Sequence, residues 1–210
     1  GGELYTALAA GFDPAHIHFN GNNKTCEEIR YALEQKVGHI LVDNIEELHL
    51  IQKFSEVMNC VTTVSLRIKP GIDAHTHQFI RTGGAMQAVQ ETLALPNLDL
   101  EGVQGHIGSQ IFDIAPFVEA AKVMLQFMQD VREKTGVTVR VLDLGGGFGI
   151  RYTDADQPVP YNDYMREVST AIHKKCRELS FPVPYVYIEP GRSVVGEAGL
   201  TLYTVGSVKE

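Results

Sequence analysis

Short apolar, β-branched runs alternate with helical stripes along almost the whole of this chain, and no other feature constrains its fold as tightly. The strand-like runs fall at residues 16–19, 39–42, 61–68, 102–106, 137–144 and 183–188, and the helical stretches at 3–10, 26–36, 45–58, 86–95, 116–134 and 164–179. In the longest helix Phe117, Ala120, Ala121, Val123, Met124, Phe127, Met128 and Val131 supply a wide apolar stripe. Across residues 45–58, Ile45, Leu48, Ile51 and Val57 fall roughly on one helical face. Thr25 is placed to cap the helix at 26–36, with Glu27 and Glu28 at the positive end of its dipole. Strands separated by helices pair in parallel through crossovers, so the chain is α/β.

A doubly wound sheet and a (β/α)8 barrel both fit that alternation, and the position of the polar groups arbitrates. A doubly wound sheet concentrates its chemistry at one switch point, whereas a barrel distributes it over the C-terminal ends of many strands. Polar or glycine-rich groups follow nearly every strand here: residues 20–23 (NGNN), Asp43-Asn44, 67–71 (RIKPG), 106–110 (HIGSQ), 145–149 (GGGFG) and 189–192 (EPGR). That distribution favours a barrel. Six strands do not close an eight-stranded one, so the expected architecture is an incomplete (β/α)8 TIM barrel with two strands lacking on the N-terminal side. Gly1-Gly2 leading at once into a helix, and a β-like run at 201–208, read as part of a longer molecule.

Composition excludes some partners. Asp and Glu number 26 against 18 Lys and Arg, a formal net charge of -8, which argues against nucleic acid and anionic membranes. It leaves room for a small anion bound by local backbone dipoles. No apolar run approaches the roughly 20 residues of a membrane span. Cys26, Cys60 and Cys176 form neither a CxxC pair nor a metal-ligand spacing. Their odd, sparse count points to a reducing, cytoplasmic compartment, with each read as a small buried hydrophobe.

Four segments carry the candidate chemistry. Residues 143–149 (DLGGGFG) follow an apolar strand, and consecutive glycines let backbone approach a ligand closely, with N–H groups that can converge on phosphate; a plain tight turn is the alternative. In Glu189-Pro190-Gly191-Arg192 the proline stiffens the turn, the glycine frees it, and Arg192 offers a forked cation for phosphate or carboxylate. Glu189 at a strand end can face a ring nitrogen, or pair with Arg192 instead. His106, at another strand tip, can stack on an aromatic ligand or transfer protons, and Ser109 can bind phosphate. Arg67 sits inside a β-like run and needs a partner, structural or otherwise. His75 and His77 lack a third ligand at a metal-binding spacing, so no metal is expected.

Taken together, residues 65–83 (SLRIKPGIDAHTHQFIRTG), 105–110 (GHIGSQ), 142–149 (LDLGGGFG) and 188–192 (IEPGR), in this order and spacing, resemble the alanine-racemase-like, fold type III pyridoxal-phosphate decarboxylases. Residues 1–4 (GGEL) and 19–24 (FNGNNK) fit as well, so the likeness spans essentially the whole chain. The resemblance implies pyridoxal 5'-phosphate as cofactor and a decarboxylated amino acid as substrate. It implies that His106 stacks on the cofactor ring, and that Ser109, Gly146 and Gly147 hold the phosphate with help from the Pro190-Gly191-Arg192 turn. Glu189 would pair with the pyridine nitrogen, Arg192 would also meet a substrate carboxylate, and Arg67 would support Glu189 or the ring edge. It further implies a homodimer with shared active sites, strands three to eight of the barrel in residues 1–196, and the start of a C-terminal β-domain in residues 197–210.

Within the family, HIGSQ in place of HVGSG, the segment PGIDAHTH and the ending at 194–210 point to the branch acting on meso-2,6-diaminopimelate in lysine biosynthesis. A branch acting on ornithine, arginine or carboxynorspermidine is the alternative, as is a non-catalytic relative that only carries the cofactor. Three departures stand out. The family's Schiff-base lysine precedes the GGEL helix and no lysine of this chain matches it, so the chain alone is expected to be inactive. The C-terminal domain, with its specificity residues and the catalytic Cys of the partner subunit, is not present beyond its first strand. The family continues Thr82-Gly83 into a loop carrying KFG, whereas Gly83 here runs directly into Gly84-Ala85-Met86.

Overall fold

The computed structural model describes residues 1–71, 80–200, 202–204 and 206. In chain order the elements are α1 (Gly2–Ala9), a 3-10 turn at Pro14–His16, β1 (His18–Phe19), α2 (Cys26–Glu34), β2 (His39–Val42), α3 (Ile45–Val57), β3 (Thr62–Lys69), β4 (Ile80–Arg81), α4 (Thr82–Ala94), β5 (Leu98–Gln104), α5 (Ala115–Thr135), β6 (Val141–Asp143), α6 (Tyr161–Leu179), β7 (Tyr185–Tyr187) and the short α7 (Gly191–Val195). The sheet runs β1-β2-β3-β5-β6-β7, with every paired strand parallel and β4 a short addition on β3. The strand order never reverses, so there is no switch point of the doubly wound kind. The sheet curls until its two ends meet through side chains: the His18 ring lies 4.7 Å from that of Tyr187, and Asn20 Nδ2 donates to Glu189 Oε1 at 3.2 Å. Six strands curled in this order form part of a (β/α)8 barrel.

Local chemistry explains the elements. Thr25 Oγ1 accepts from the Glu28 amide at 3.2 Å and Glu28 Oε2 accepts from the Thr25 amide at 2.9 Å, a reciprocal capping box that satisfies two orphan donors at the start of α2. Asn44 caps α3 in the same sense, its side chain accepting from the Glu47 amide at 2.8 Å. Gly136, at φ 76°, ends α5 in the left-handed conformation, and its N–H closes on the Arg132 carbonyl at 2.9 Å. The apolar stripe of α5 is buried as expected except at Val123, which is half-buried, while Leu125 joins the core. On α3 Leu48 and Ile51 are fully buried, but Val57 is 76 % exposed and Ser55 takes the inward place near the helix end. Of the three cysteines Cys176 alone is buried; Cys26 is exposed, so the small-hydrophobe reading fails there.

Element boundaries shift where tertiary pairing overrides local pattern. The β-like run at 137–144 contributes only Val141–Asp143 to the ladder, because its first residues are tied to the α5 cap: the Val137 amide donates to Thr135 Oγ1 at 3.1 Å. Strand β5 begins earlier than expected, at Leu98, where it pairs with Thr62. The segment with His75 and His77 lies outside the described residues, as do residues 201, 205, 207 and 208 of the run at 201–208, whose described residues 202–204 and 206 form no strand.

One aromatic cluster bears on the site. Phe117 and Phe148 stack at 4.9 Å, and Tyr164 packs edge-on against them at 5.2 and 5.3 Å. The Tyr164 hydroxyl donates to the Ile111 carbonyl at 2.9 Å. Helices α5 and α6 thereby grip the loops that follow β5 and β6 from beneath. Each of these large rings contributes roughly 2–3 kcal/mol by burial.

Candidate active site

The C-terminal ends of β5, β6 and β7 converge on one cleft of about 190 Å³, lined by His106, Gly108, Ser109, Gly147, Phe148, Glu189, Pro190, Gly191, Arg192 and Ser193. The glycines are there because backbone meets backbone. A Cβ on Gly146 would collide with the Glu189 carbonyl, and one on Gly147, which sits at φ 99°, would collide with the Gly108 carbonyl. The Glu189 amide donates to the Gly145 carbonyl at 2.8 Å and the Ile111 amide to the Gly147 carbonyl at 2.9 Å, so three successive strand-end loops are tied into one wall.

Glu189 points inward across the curled sheet. Its carboxylate accepts from Gln104 Nε2 at 3.0 Å and from Asn20 Nδ2 at 3.2 Å, two neutral amides, one at the end of β5 and one just after β1. The pairing with Arg192 considered above does not form; the Arg192 guanidinium lies 5.9 Å over the Tyr152 ring. Gln104 is fully buried, and its Oε1 has no hydrogen-bond partner among the described residues. Beside it on the ladder, in register, is Asp143. Burial, and then the charge of Glu189, push the Asp143 carboxyl up to about 7, against an opposing hydrogen bond from the Gly145 amide at 2.8 Å.

His106 is half-buried. Burial, and then the Arg67 charge, hold its pKa below the ordinary histidine value, with Glu189 opposing. Its Nδ1 accepts from the Gly146 amide at 3.3 Å, so the neutral ring carries its proton on Nε2. A flat, neutral imidazole at a cleft wall suits stacking on a ring better than proton donation.

The β2–β3 side of the barrel is built differently. Arg67 pairs with Asp43 at 3.4 Å. Lys24 is buried and reaches Glu47 Oε1 at 2.6 Å, the Leu41 carbonyl at 2.6 Å and the Gly21 carbonyl at 2.8 Å, which saturates its three donors. Glu47 Oε1 also accepts from the Asp43 amide at 3.2 Å, linking the two ion pairs. Burial raises the pKa of both carboxyls and the neighbouring cations oppose it. At the opposite mouth, His18 and His39 stack at 4.6 Å; His39 Nε2 meets Ser65 Oγ at 2.6 Å, and burial, then the nearby His18, lower the His39 pKa to about 4.

Of the residues singled out from sequence, His106, Ser109, Gly147, Glu189, Pro190, Gly191 and Arg192 share the cleft. Gly146 and Arg67 are not among its lining residues, although Gly146 packs against the Glu189 carbonyl and the Arg67 charge reaches His106. Asn20 and Asp143 fall in the NGNN and DLGGGFG segments, to which the sequence assigns no role for these two side chains, and Gln104 carries no sequence signal of its own. The signal the three share is general: a polar residue at an inward phase of an otherwise apolar strand must find a partner in the barrel interior.

The cleft fits a phosphorylated aromatic cofactor. It brings close-packed glycine loops, a hydroxyl and a guanidinium together with an imidazole face and a carboxylate. Among the described residues no group of His, Cys, Asp or Glu is placed to hold a metal ion, and no helix is long and apolar enough to cross a membrane. Residues 1–196 match the family model described as "Pyridoxal-dependent decarboxylase, pyridoxal binding domain". The chain is 45% identical over 223 residues to the diaminopimelate decarboxylase of Bacillus subtilis (strain 168), covering 100% of this chain and 51% of that protein. It is 44% identical over 222 residues to that of Staphylococcus aureus (strain COL), with the same coverage of 100% and 51%. The chain thus spans about half the length of the curated relatives it matches. Among solved structures, the diaminopimelate decarboxylase of M. jannaschii in complex with L-lysine superposes with a TM-score of 0.85 at 31% identity, over 92% of this chain and 47% of that one. With its glycine loops, inward glutamate and strand-tip histidine in place, this chain belongs to the pyridoxal-dependent decarboxylases, whose pyridoxal-binding domain it carries in residues 1–196.

Proposed function

We propose that the protein carrying this chain decarboxylates meso-2,6-diaminopimelate to L-lysine and carbon dioxide. The observation that carries the reading is the single cleft joining His106, Ser109, Gly147, Glu189 and Arg192. Relatives at 44–45% identity over the whole chain bear the name diaminopimelate decarboxylase. Bound pyridoxal phosphate supplies an electron sink for the carbanion left when carbon dioxide departs. Glu189 holds the pyridine N–H: its carboxylate is oriented by Asn20 and Gln104, whose neutral amides leave its negative charge uncancelled. His106 lays its neutral ring along the cofactor face. Ser109, Gly146 and Gly147, with the Pro190-Gly191-Arg192 turn, enclose the phosphate. Arg192, exposed at the rim, also receives a substrate carboxylate. Arg67, anchored by Asp43, supports Glu189 or the ring edge and keeps His106 neutral through its charge.

The protein acts in this reading as a homodimer with shared sites, in the cytoplasm. Sparse, unpaired cysteines support the compartment. The exposed apolar side chains of Val194, Val195, Leu200, Leu202 and Tyr203 support burial against further protein. The test is release of lysine and carbon dioxide by the full-length protein with pyridoxal phosphate. We expect meso-diaminopimelate to be preferred over ornithine and arginine by on the order of 10²-fold or more in kcat/KM. Preference for ornithine or arginine would overturn the substrate, and cofactor binding without turnover of any of them would overturn the activity.

A further inference from the structure

The two loops that form the phosphate end of the cleft, after β5 and after β6, are joined by an isolated parallel bridge, Ile111 to Phe148. Its two backbone bonds are the Ile111 amide to the Gly147 carbonyl and the Gly149 amide to the Ile111 carbonyl, both 2.9 Å. Nearer the strands, the Gly146 amide also donates to His106 Nδ1 at 3.3 Å, a long hydrogen bond. Gln110 extends the bridge. Its Nε2 donates to the Ile150 carbonyl at 2.7 Å, and its Oε1 accepts from the Ile150 amide at 3.1 Å. The side-chain amide thus takes both backbone groups of Ile150, as a further strand residue would.

The backbone at Gln110 is left-handed, at φ 58°, a conformation that disfavours residues with a Cβ. Glycine would satisfy the turn alone, yet the residue present carries the amide that reaches across. Ser109 precedes it and Gly147 lies opposite, so the spacing Gln110 sets is the spacing between the two phosphate-facing loops.

We propose that Gln110 is a positioning residue for the cofactor phosphate, clamping the Ser109 loop to the Gly146-Gly147 loop so that both address one anion. The inference rests on the assignment of this cleft end to phosphate. Its consequence is selective. Loosening the clamp weakens binding of pyridoxal phosphate far more than binding of pyridoxal, which lacks the phosphate and depends on the His106 and Glu189 end.

Two variants of the full-length protein separate the clamp from the turn. Gln110→Gly relieves the left-handed backbone and deletes both side-chain bonds. Gln110→Glu keeps the shape and the acceptor but sets a carboxylate against the Ile150 carbonyl. Dissociation constants for pyridoxal phosphate and for pyridoxal are measured by equilibrium ultrafiltration, with circular dichroism to confirm folding. For both variants the constant for pyridoxal phosphate is expected to rise about tenfold and that for pyridoxal less than about twofold. Equal weakening of both ligands would reduce Gln110 to a general structural role and overturn the inference, as would no weakening of either. The reading beneath it fails separately: a wild-type protein that binds pyridoxal as tightly as pyridoxal phosphate has no phosphate site here, and both proposals fall.

Discussion

The two sides of the barrel interior handle buried charge in opposite ways. On the β2–β3 side each carboxylate meets a cation, Lys24 with Glu47 and Arg67 with Asp43. On the β5–β7 side Glu189 is held by the amides of Asn20 and Gln104, and Asp143 by a backbone N–H. An ion pair fixes geometry and consumes the charge. Neutral donors fix geometry and leave the charge available to a third group. The first arrangement belongs to a scaffold, and the second leaves a carboxylate able to meet a further group, which the proposed function takes to be the cofactor's ring nitrogen.

The comparison breaks most visibly at Glu189. Glu189→Gln in the full-length protein should lower kcat by about 10²–10⁴-fold while changing stability by less than about 1 kcal/mol, because an amide can keep one of the two hydrogen bonds but not the charge. Loss of stability without loss of turnover, read by urea unfolding and lysine release, would put Glu189 with the scaffold. Lys24→Met should do the reverse. It strands Glu47 uncompensated in the interior and should cost about 3–5 kcal/mol in urea unfolding. The double variant Lys24→Met with Glu47→Leu should recover most of that.

Asp143 sharpens the comparison through pH. Its folded pKa, about 7, lies above its ordinary value of 3.8, so the folded state binds the extra proton and stability falls as pH rises between these values. Asp143→Asn should remove a slope of up to roughly 1.4 kcal/mol per pH unit in that window. His39, lowered to about 4, acts with the opposite sign: its contribution is lost as pH falls below about 6.5. The difference between wild type and Asp143→Asn isolates the carboxyl. Wild-type and variant stability curves that run parallel from pH 4 to pH 7 would show that Asp143 ionises freely. The smallest effect is at the cap that delivers Lys24: Thr25→Ala should cost about 1 kcal/mol by thermal unfolding, with cofactor affinity unchanged.

Sequence periodicity by itself determined the α/β class, the six principal strands, the helices between them and the Thr25 cap, because each rests on contacts within a few residues. Polar groups at strand ends also picked out His106, Ser109, Gly147, Glu189 and Arg192, since a barrel gathers such ends on one face. Distances in sequence hid the rest. Asn20 and Glu189 stand 169 residues apart and meet only because the sheet curls. Gln104 reads as an ordinary strand residue, and Asp143 as the mere start of a glycine loop, until the register sets them side by side. Gln110 looked like the tail of a motif until the loop after β6 came within reach of its amide. Local propensity is written residue by residue, whereas a closed network of buried polar groups exists only once the strands carrying them are paired, and so the tertiary structure decided which carboxylates meet a cation and which keep only neutral donors.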